Sequence, residues 1–188
     1  MNYLHKILSI LKTFYVKKFK RDIKVGKNVI IDFDTRINTK KNRLVIGHNV
    51  YLRSKSFGYH AGMPFKTTIL LDQQDSVCEI GDNCRLNGVY IHSQKKIIIG
   101  KNTVIAAGVN ILDSNGHEVF SENRTKGRDT AKEIIIGENV WIGLNSIILK
   151  GSIIGNNSII SAGSVVNGII PDNVIVQGNP AKIVKKIF

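Results

Sequence analysis

The chain has 188 residues, is 43% apolar and carries a formal net charge of +13. That size and balance suit one domain with a substantial core and leave out the weakly hydrophobic, highly charged chains that stay disordered. The charge is lopsided, with 14 Lys and Arg against 3 Asp and Glu in residues 1–60 and 13 against 11 in residues 61–188. No DNA- or RNA-binding motif accompanies the basic start, which argues against a nucleic-acid partner.

Residues 1–20 read as a helix with Leu4, Ile7, Leu8, Leu11, Phe14 and Tyr15 on one stripe. The favoured expectation is that this stripe covers the open end of the structure that follows. Contact between a basic amphipathic helix and an anionic membrane surface is the second expectation. Lys6 and Lys12 interrupt the apolar run, so it does not span a bilayer. No small-residue cleavage site follows an unbroken apolar core, so a cytoplasmic location is expected, at the inner face of the membrane if the helix touches lipid.

From residue 21 a six-residue metre sets in. Val25-Gly26 leads to Ile31 and Ile37, Ile46-Gly47 to Leu52, Ile80-Gly81 to Leu86, and Ile99-Gly100 to Ile105 and Ile111. The metre is unbroken at Ile136, Ile142, Ile148, Ile154, Ile160 and Val166, with Val140, Ser146, Ser152, Ser158 and Ser164 four residues behind each apolar position. A period of six fits neither a helix nor a lone strand, and predicts a solenoid of short coils with large β-branched residues stacked inside and small ones at the corners. A solenoid domain is thus expected over 21–170, followed by an extension over 171–188 that folds back along it. Cys84 falls on a small inward position, and neither it nor Cys78 has metal-ligand spacing.

Two stretches break the metre. Residues 53–79 hold Phe57, Tyr59, His60, Met63, Pro64 and Phe65, which read as a substrate-facing flap or a packing excursion. Residues 113–133 begin Asp-Ser-Asn-Gly-His, placing His117 just after a turn where it can project into a groove as a general base.

Four motifs then carry a resemblance. They are Ile80-Gly81 with Asn87, the Asp113–His117 segment, Gly137-Glu138-Asn139-Val140-Trp141-Ile142-Gly143, and Ala162-Gly163-Ser164-Val165-Val166 with Gly178-Asn179-Pro180-Ala181-Lys182. Together they resemble the hexapeptide-repeat acyltransferases, in particular the maltose, galactoside and xenobiotic acetyltransferase group and its polysaccharide O-acetyltransferase relatives. The resemblance implies an all-β fold, a left-handed parallel β-helix. It also implies a homotrimer with sites between subunits, and acetyl transfer from acetyl-CoA to a carbohydrate hydroxyl of a capsule, lipopolysaccharide or other glycan precursor.

By position, the resemblance makes His117 the catalytic base. Asn87 faces the reacting groups, and Asp113 either orients the imidazole, contacts the acceptor or caps its own loop. Trp141 walls the site, the Leu144 amide meets the thioester oxygen, Ala162 lines the pantetheine arm, and Lys182 and Lys185 approach the CoA phosphates. Asn167-Gly168 stands where galactoside-type members carry a Thr-Lys pair, which removes one basic CoA contact.

N-acetylation of a nucleotide-linked amino sugar is the near alternative. A metal-dependent lyase on the same fold needs three histidines at a subunit interface, and none follows His117. No metal site is therefore expected. A silent scaffold is the remaining class.

Overall fold

In the computed structural model Tyr3–Ile187 are described. Met1, Asn2 and Phe188, assigned above to the terminal helix and extension, lie outside the described residues. A helix, α1 (Tyr3–Phe19), leads into three sheets of seven, eight and six strands, all parallel except the last strand of the second. Successive strands visit the first, second and third sheet in turn, so the chain winds into a triangular left-handed β-helix. Its seven coils span residues 23–38, 43–71, 77–93, 96–112, 134–149, 153–166 and 169–177, the last lacking a third side.

The metre is the core. Along the second sheet Ile31, Leu52, Leu86, Ile105, Ile142, Ile160 and Val176 stand in register, one per coil, and all are buried. The small positions Ser146, Ser152, Ser158 and Ser164 are fully enclosed at corners, where their hydroxyls bond carbonyls such as Ser161 O (3.1 Å) and Pro171 O (2.8 Å). Glycine after the apolar residue has a steric cause: a Cβ on Gly100 would lie 2.4 Å from the Gly137 carbonyl oxygen of the next coil. Cys84 packs inward as expected.

A second repeat accompanies the glycines. Asn28, Asn49, Asn83, Asn102, Asn139, Asn157 and Asn173 turn one corner of every coil with φ between 55° and 60°. Asparagine tolerates that left-handed conformation better than most residues. Their amides also form ladders, Asn28 to Asn49 (3.1 Å), Asn49 to Asn83 (3.0 Å) and Asn139 to Asn157 (3.0 Å).

Three boundaries shift from expectation. The first excursion covers only 54–67, because Thr68–Leu71 and Val77–Ile80 already pair as coil strands. The coils continue through Val174–Gln177, past residue 170. Lys182–Lys186 then folds back antiparallel on Val174–Gln177 and covers that edge of the second sheet.

The largest correction concerns α1. It does lie on the first coil, but through His5, Ser9, Thr13 and Val16 rather than through the apolar stripe. The Thr13 hydroxyl accepts the Ile31 amide (2.9 Å) and the Ser9 hydroxyl accepts the Phe33 amide (3.0 Å). These are strand-edge donors with no further coil to bond, so the cap is a polar one. Leu4, Leu11, Phe14, Tyr15 and Phe19 point outward and are half or more exposed.

Candidate active site

A groove of about 970 Å³ runs along the outer face of the second sheet. Its floor follows one register column, Ile30, Tyr51, Arg85, Val104, Trp141 and Ile159, in which neighbours are one strand spacing apart, and the column continues past the groove to Ile175. At the far end Lys185 pairs with Ile175 and Lys182 with Gln177. Arg85 therefore stands near one end of the column and Lys185 beyond the other, with apolar residues between them, and neither Lys182 nor Lys185 lines the groove itself. Trp141 presents its indole outward at 54% exposure and dominates that middle.

Asn87, Trp141, Leu144 and Ala162 all line this groove, and Lys182 and Lys185 do not. Asn87 is 8% exposed, and its Nδ2 donates to the Ile105 carbonyl (3.0 Å). That bond fixes the amide plane and leaves Oδ1 without a hydrogen-bond partner among the described residues. The amides of Gly143 and Asn145 bond the Ile160 and Ala107 carbonyls, whereas the Leu144 amide between them donates to no acceptor among the described residues. The Ala162 amide is likewise unpartnered there, between the bonded amides of Ser161 and Gly163. Unpaired donors lining a groove are ready to meet an oxygen that gains negative charge.

The 54–67 excursion supplies the groove's other wall. Tyr59 and His60 line it. Its base is packed: a Cβ on Gly88 would strike Met63 Cγ at 2.4 Å. Cys78 and Cys84 take no part, since burial pushes their thiols up to about 12 and about 11.

His117 is elsewhere. It stands on the 113–133 excursion, which leaves the corner between the third and first sheets, and lines a separate cleft of about 480 Å³ with Asp72, His92, Gln94 and Arg128. A full side of the prism separates that corner from the one bearing Leu144 and Ala162. Within one chain the base and the groove are therefore apart. Asn167 likewise does not line the groove of its own chain. It is exposed at the same corner as His117, two coils further on.

Asp113 requires a correction of role. Its carboxylate is fully buried and accepts the amides of Gln94 (2.7 Å), Lys95 (2.8 Å) and Lys96 (2.9 Å) and the Ser93 hydroxyl (3.0 Å). With both oxygens engaged by that turn, Asp113 fastens the corner and does not orient the imidazole. The loop itself is anchored by Asp129, which accepts the Ser114 hydroxyl (2.5 Å), the Asn115 amide (2.8 Å) and the Lys150 ammonium (2.6 Å).

Burial works to raise the Asp129 carboxyl, but the Lys150 ammonium and these donors outweigh it and hold it at about 2. Its contribution is thus present above the ordinary carboxylate range and is lost only as the pH falls towards 2. Asp129→Ala is expected to speed amide exchange across 114–128 at least about 10-fold while the coil amides stay protected, read by exchange mass spectrometry. Unchanged exchange there would show that the clamp is idle.

The cleft adds a feature that sequence reasoning passed over. His92 Nε2 lies 2.9 Å from Asp72 Oδ1, so His92 is not an isolated histidine. Burial would raise the Asp72 carboxyl, yet the bond and charge of His92 prevail and hold it below its usual range. A signal existed: Asp72 directly follows the Thr68–Leu71 strand, and His92 lies in the strand paired with it, opposite Leu70. Among the described residues no cluster of three or more His, Cys, Asp or Glu is disposed to hold a metal ion.

Comparison with known proteins agrees with this geometry. The bacterial transferase hexapeptide pattern (six repeats) matches residues 133–168. The polysialic acid O-acetyltransferase of Neisseria meningitidis is 31% identical over 146 residues, covering 67% of this chain and 68% of that protein. The chain belongs to the hexapeptide-repeat acyltransferases. The galactoside O-acetyltransferase of Escherichia coli K12 is 43% identical over 91 residues, 48% of this chain and 44% of that protein. The crystal structure of the polySia-specific acetyltransferase NeuO superposes with a TM-score of 0.62 at 26% identity, covering 88% of this chain and 82% of that one. The chain spans 55%, 58% and 66% of the length of three further curated relatives.

Proposed function

We propose that the protein is an acetyl-CoA-dependent O-acetyltransferase for a carbohydrate hydroxyl, working as a homotrimer. The observation that carries this reading is the division of the site. A groove offers free Leu144 and Ala162 amides and the Asn87 oxygen, while the only base of the family motif, His117, sits on another edge of the same chain. In a three-fold ring the edge of one subunit lies against the groove of the next, so each site is complete only between chains.

Chemistry follows from the parts. His117 takes the proton from the acceptor hydroxyl, whose oxygen attacks the thioester carbonyl carbon. The carbonyl oxygen gains negative charge and meets the Leu144 amide. The C–S bond then breaks, and the CoA sulfur leaves as a thiol with the proton held by the imidazolium. Trp141 and Ile159 give the pantetheine arm an apolar bed, and Lys182 and Lys185 stand where the phosphates end. The test is thiol release from acetyl-CoA with a panel of glycosides and nucleotide-linked amino sugars. Acceptor-dependent release with the hydroxyl panel is expected. Release with the amines alone would transfer the assignment to N-acetylation, and no CoA binding at all would overturn it. Cys78 and Cys84 stay silent in that readout because both are buried.

The outward face of α1 supports a membrane partner. On a helical projection Tyr3, Leu4, Ile7, Leu11, Phe14 and Tyr15 cover one side, with Lys18 on that side in the last turn, Lys6, Lys12 and Lys17 flank it, and the polar side is taken by the coil. An apolar face bordered by lysines fits an anionic bilayer surface, with the ammonium groups reaching its headgroups. No helix of the described residues is long and apolar enough to cross a membrane. The protein is expected to sediment with phosphatidylglycerol vesicles and not with phosphatidylcholine vesicles, and Leu11→Asp is expected to abolish it. Absence of vesicle binding, with a change of oligomer size in Leu11→Asp, would instead mean that a second copy covers the face.

A further inference from the structure

The end of the groove away from Lys182 and Lys185 holds two arginines that the resemblance does not assign. Arg53 stands in the second coil and Arg85 in the third. Register places Arg53 directly opposite Asn87 and Tyr51 directly opposite Arg85. Arg53 is therefore one strand spacing from Asn87, about 4.8 Å, and Arg85 is two residues along the same strand, about 7 Å away on the same face.

The carboxylate beside Arg53, Asp32, lines the neighbouring pocket between α1 and the coil and is engaged by the Tyr51 hydroxyl and the Ser54 and Lys55 amides. Neither arginine has a carboxylate within ion-pair distance among the described residues, and none of the residues lining the groove is acidic. By contrast Arg43 is paired with Glu79 at 3.0 Å, outside the groove. The Arg53 guanidinium lies over two tyrosine rings, 5.2 Å from the centre of Tyr51 and 5.7 Å from that of Tyr59. Stacking of this kind fixes the guanidinium plane and leaves its N–H edge free for an anion. The Tyr51 hydroxyl donates to Asp32 Oδ1 at 3.2 Å, which holds that ring in place. His60 stands beside Tyr59, ring centres 4.6 Å apart, and also lines the groove.

Resting on the acyl-transfer reading, we infer that this end is the acceptor subsite and that it selects an anionic sugar, one bearing a carboxylate or phosphate. The charge sits close to the hydroxyl that reacts. The distances fix that closeness: if the hydroxyl lies at Asn87, the anion that Arg53 and Arg85 can both reach belongs to the same sugar unit or the one bonded to it. Guanidinium forks suit planar carboxylates and phosphate oxygens alike, so the chemistry shared by the two is an oxyanion held by two hydrogen bonds. The polarity of the groove gives the direction. The apolar Val104–Trp141–Ile159 stretch separates the arginines from Lys182 and Lys185, which stand past the far end of the groove, so CoA phosphates held by the lysines leave the arginines to the acceptor.

The test combines binding with turnover. Calorimetry on the CoA-loaded protein uses a sialic acid dimer, UDP-N-acetylglucosamine and maltose as carboxylate, phosphate and neutral probes. Tighter binding of an anionic probe than of maltose is expected, with the stronger of the two naming the source of the charge. Arg53→Gln and Arg85→Gln are each expected to weaken that probe by about 10- to 100-fold. CoA affinity should not move. In the thiol-release assay KM for anionic acceptors rises in both variants, and the anionic-to-neutral ratio of kcat/KM collapses.

Equal binding of maltose and the anions, or a loss confined to CoA affinity, would overturn the inference. Anion binding lost in the variants, in a protein that never releases thiol, would uphold the subsite and overturn acetyl transfer.

Discussion

His117→Ala is expected to lower acceptor-dependent thiol release by about 10²- to 10⁴-fold with CoA affinity unchanged. An alcohol attacks a thioester slowly until its proton is removed, and the only histidine on the anchored 113–133 excursion is His117. Because its cleft contains none of the CoA-bed residues Trp141, Leu144 and Ala162, removing the imidazole should spare cofactor binding. His92 is the control. It shares the cleft but is engaged with Asp72, so His92→Ala should act on the placement of the loop and cost less than His117→Ala. Equal losses in both variants would mean that the proton is handled by the pair.

The largest effect on stability is expected from Asp113→Ala. Four donors converge on this fully buried carboxylate, and its removal leaves three backbone amides of the 94–96 turn without an acceptor. Unmade bonds of that kind cost about 1–3 kcal/mol each, partly recovered by relaxation and water. A net loss of about 3–5 kcal/mol, or about 10 °C in Tm, is the expected result in thermal unfolding. Asp113→Asn should fall between, since it keeps one oxygen and loses the charge. An Asp113→Asn variant with unaltered Tm and abolished turnover would return Asp113 to the imidazole.

Much of the architecture is legible in the sequence because the rule that builds it is local. Ile136, Ile142, Ile148, Ile154, Ile160 and Val166 repeat at six because each coil side has that length, and every one of them is buried. The asparagines that follow the corner glycines were equally legible and carry the left-handed turns. What the sequence withheld depends on which of two faces a residue meets. The stripe on α1 is genuinely amphipathic, but the first coil ends in unbonded amides, so hydroxyls and not leucines face it. Asp113 sits near His117 in sequence yet turns inward, because a buried carboxylate is held wherever several backbone donors converge. Arg53 and Arg85 become neighbours of Asn87 only through strand register, which no motif spells out. The separation of His117 from the groove likewise needs the count of sheet corners.

That separation carries the central claim, and subunit mixing tests it most directly. His117→Ala chains keep an intact groove, and Ala162→Trp chains keep an intact base but fill the groove. Each is expected to be inactive alone. Co-expressed at equal amounts, they assemble trimers in which a good groove meets a good edge at one contact in four, so about a quarter of the wild-type rate should return. Mixed trimers, verified by mass, whose thiol release stays at background would mean that base and groove belong to the same chain and would contradict the account.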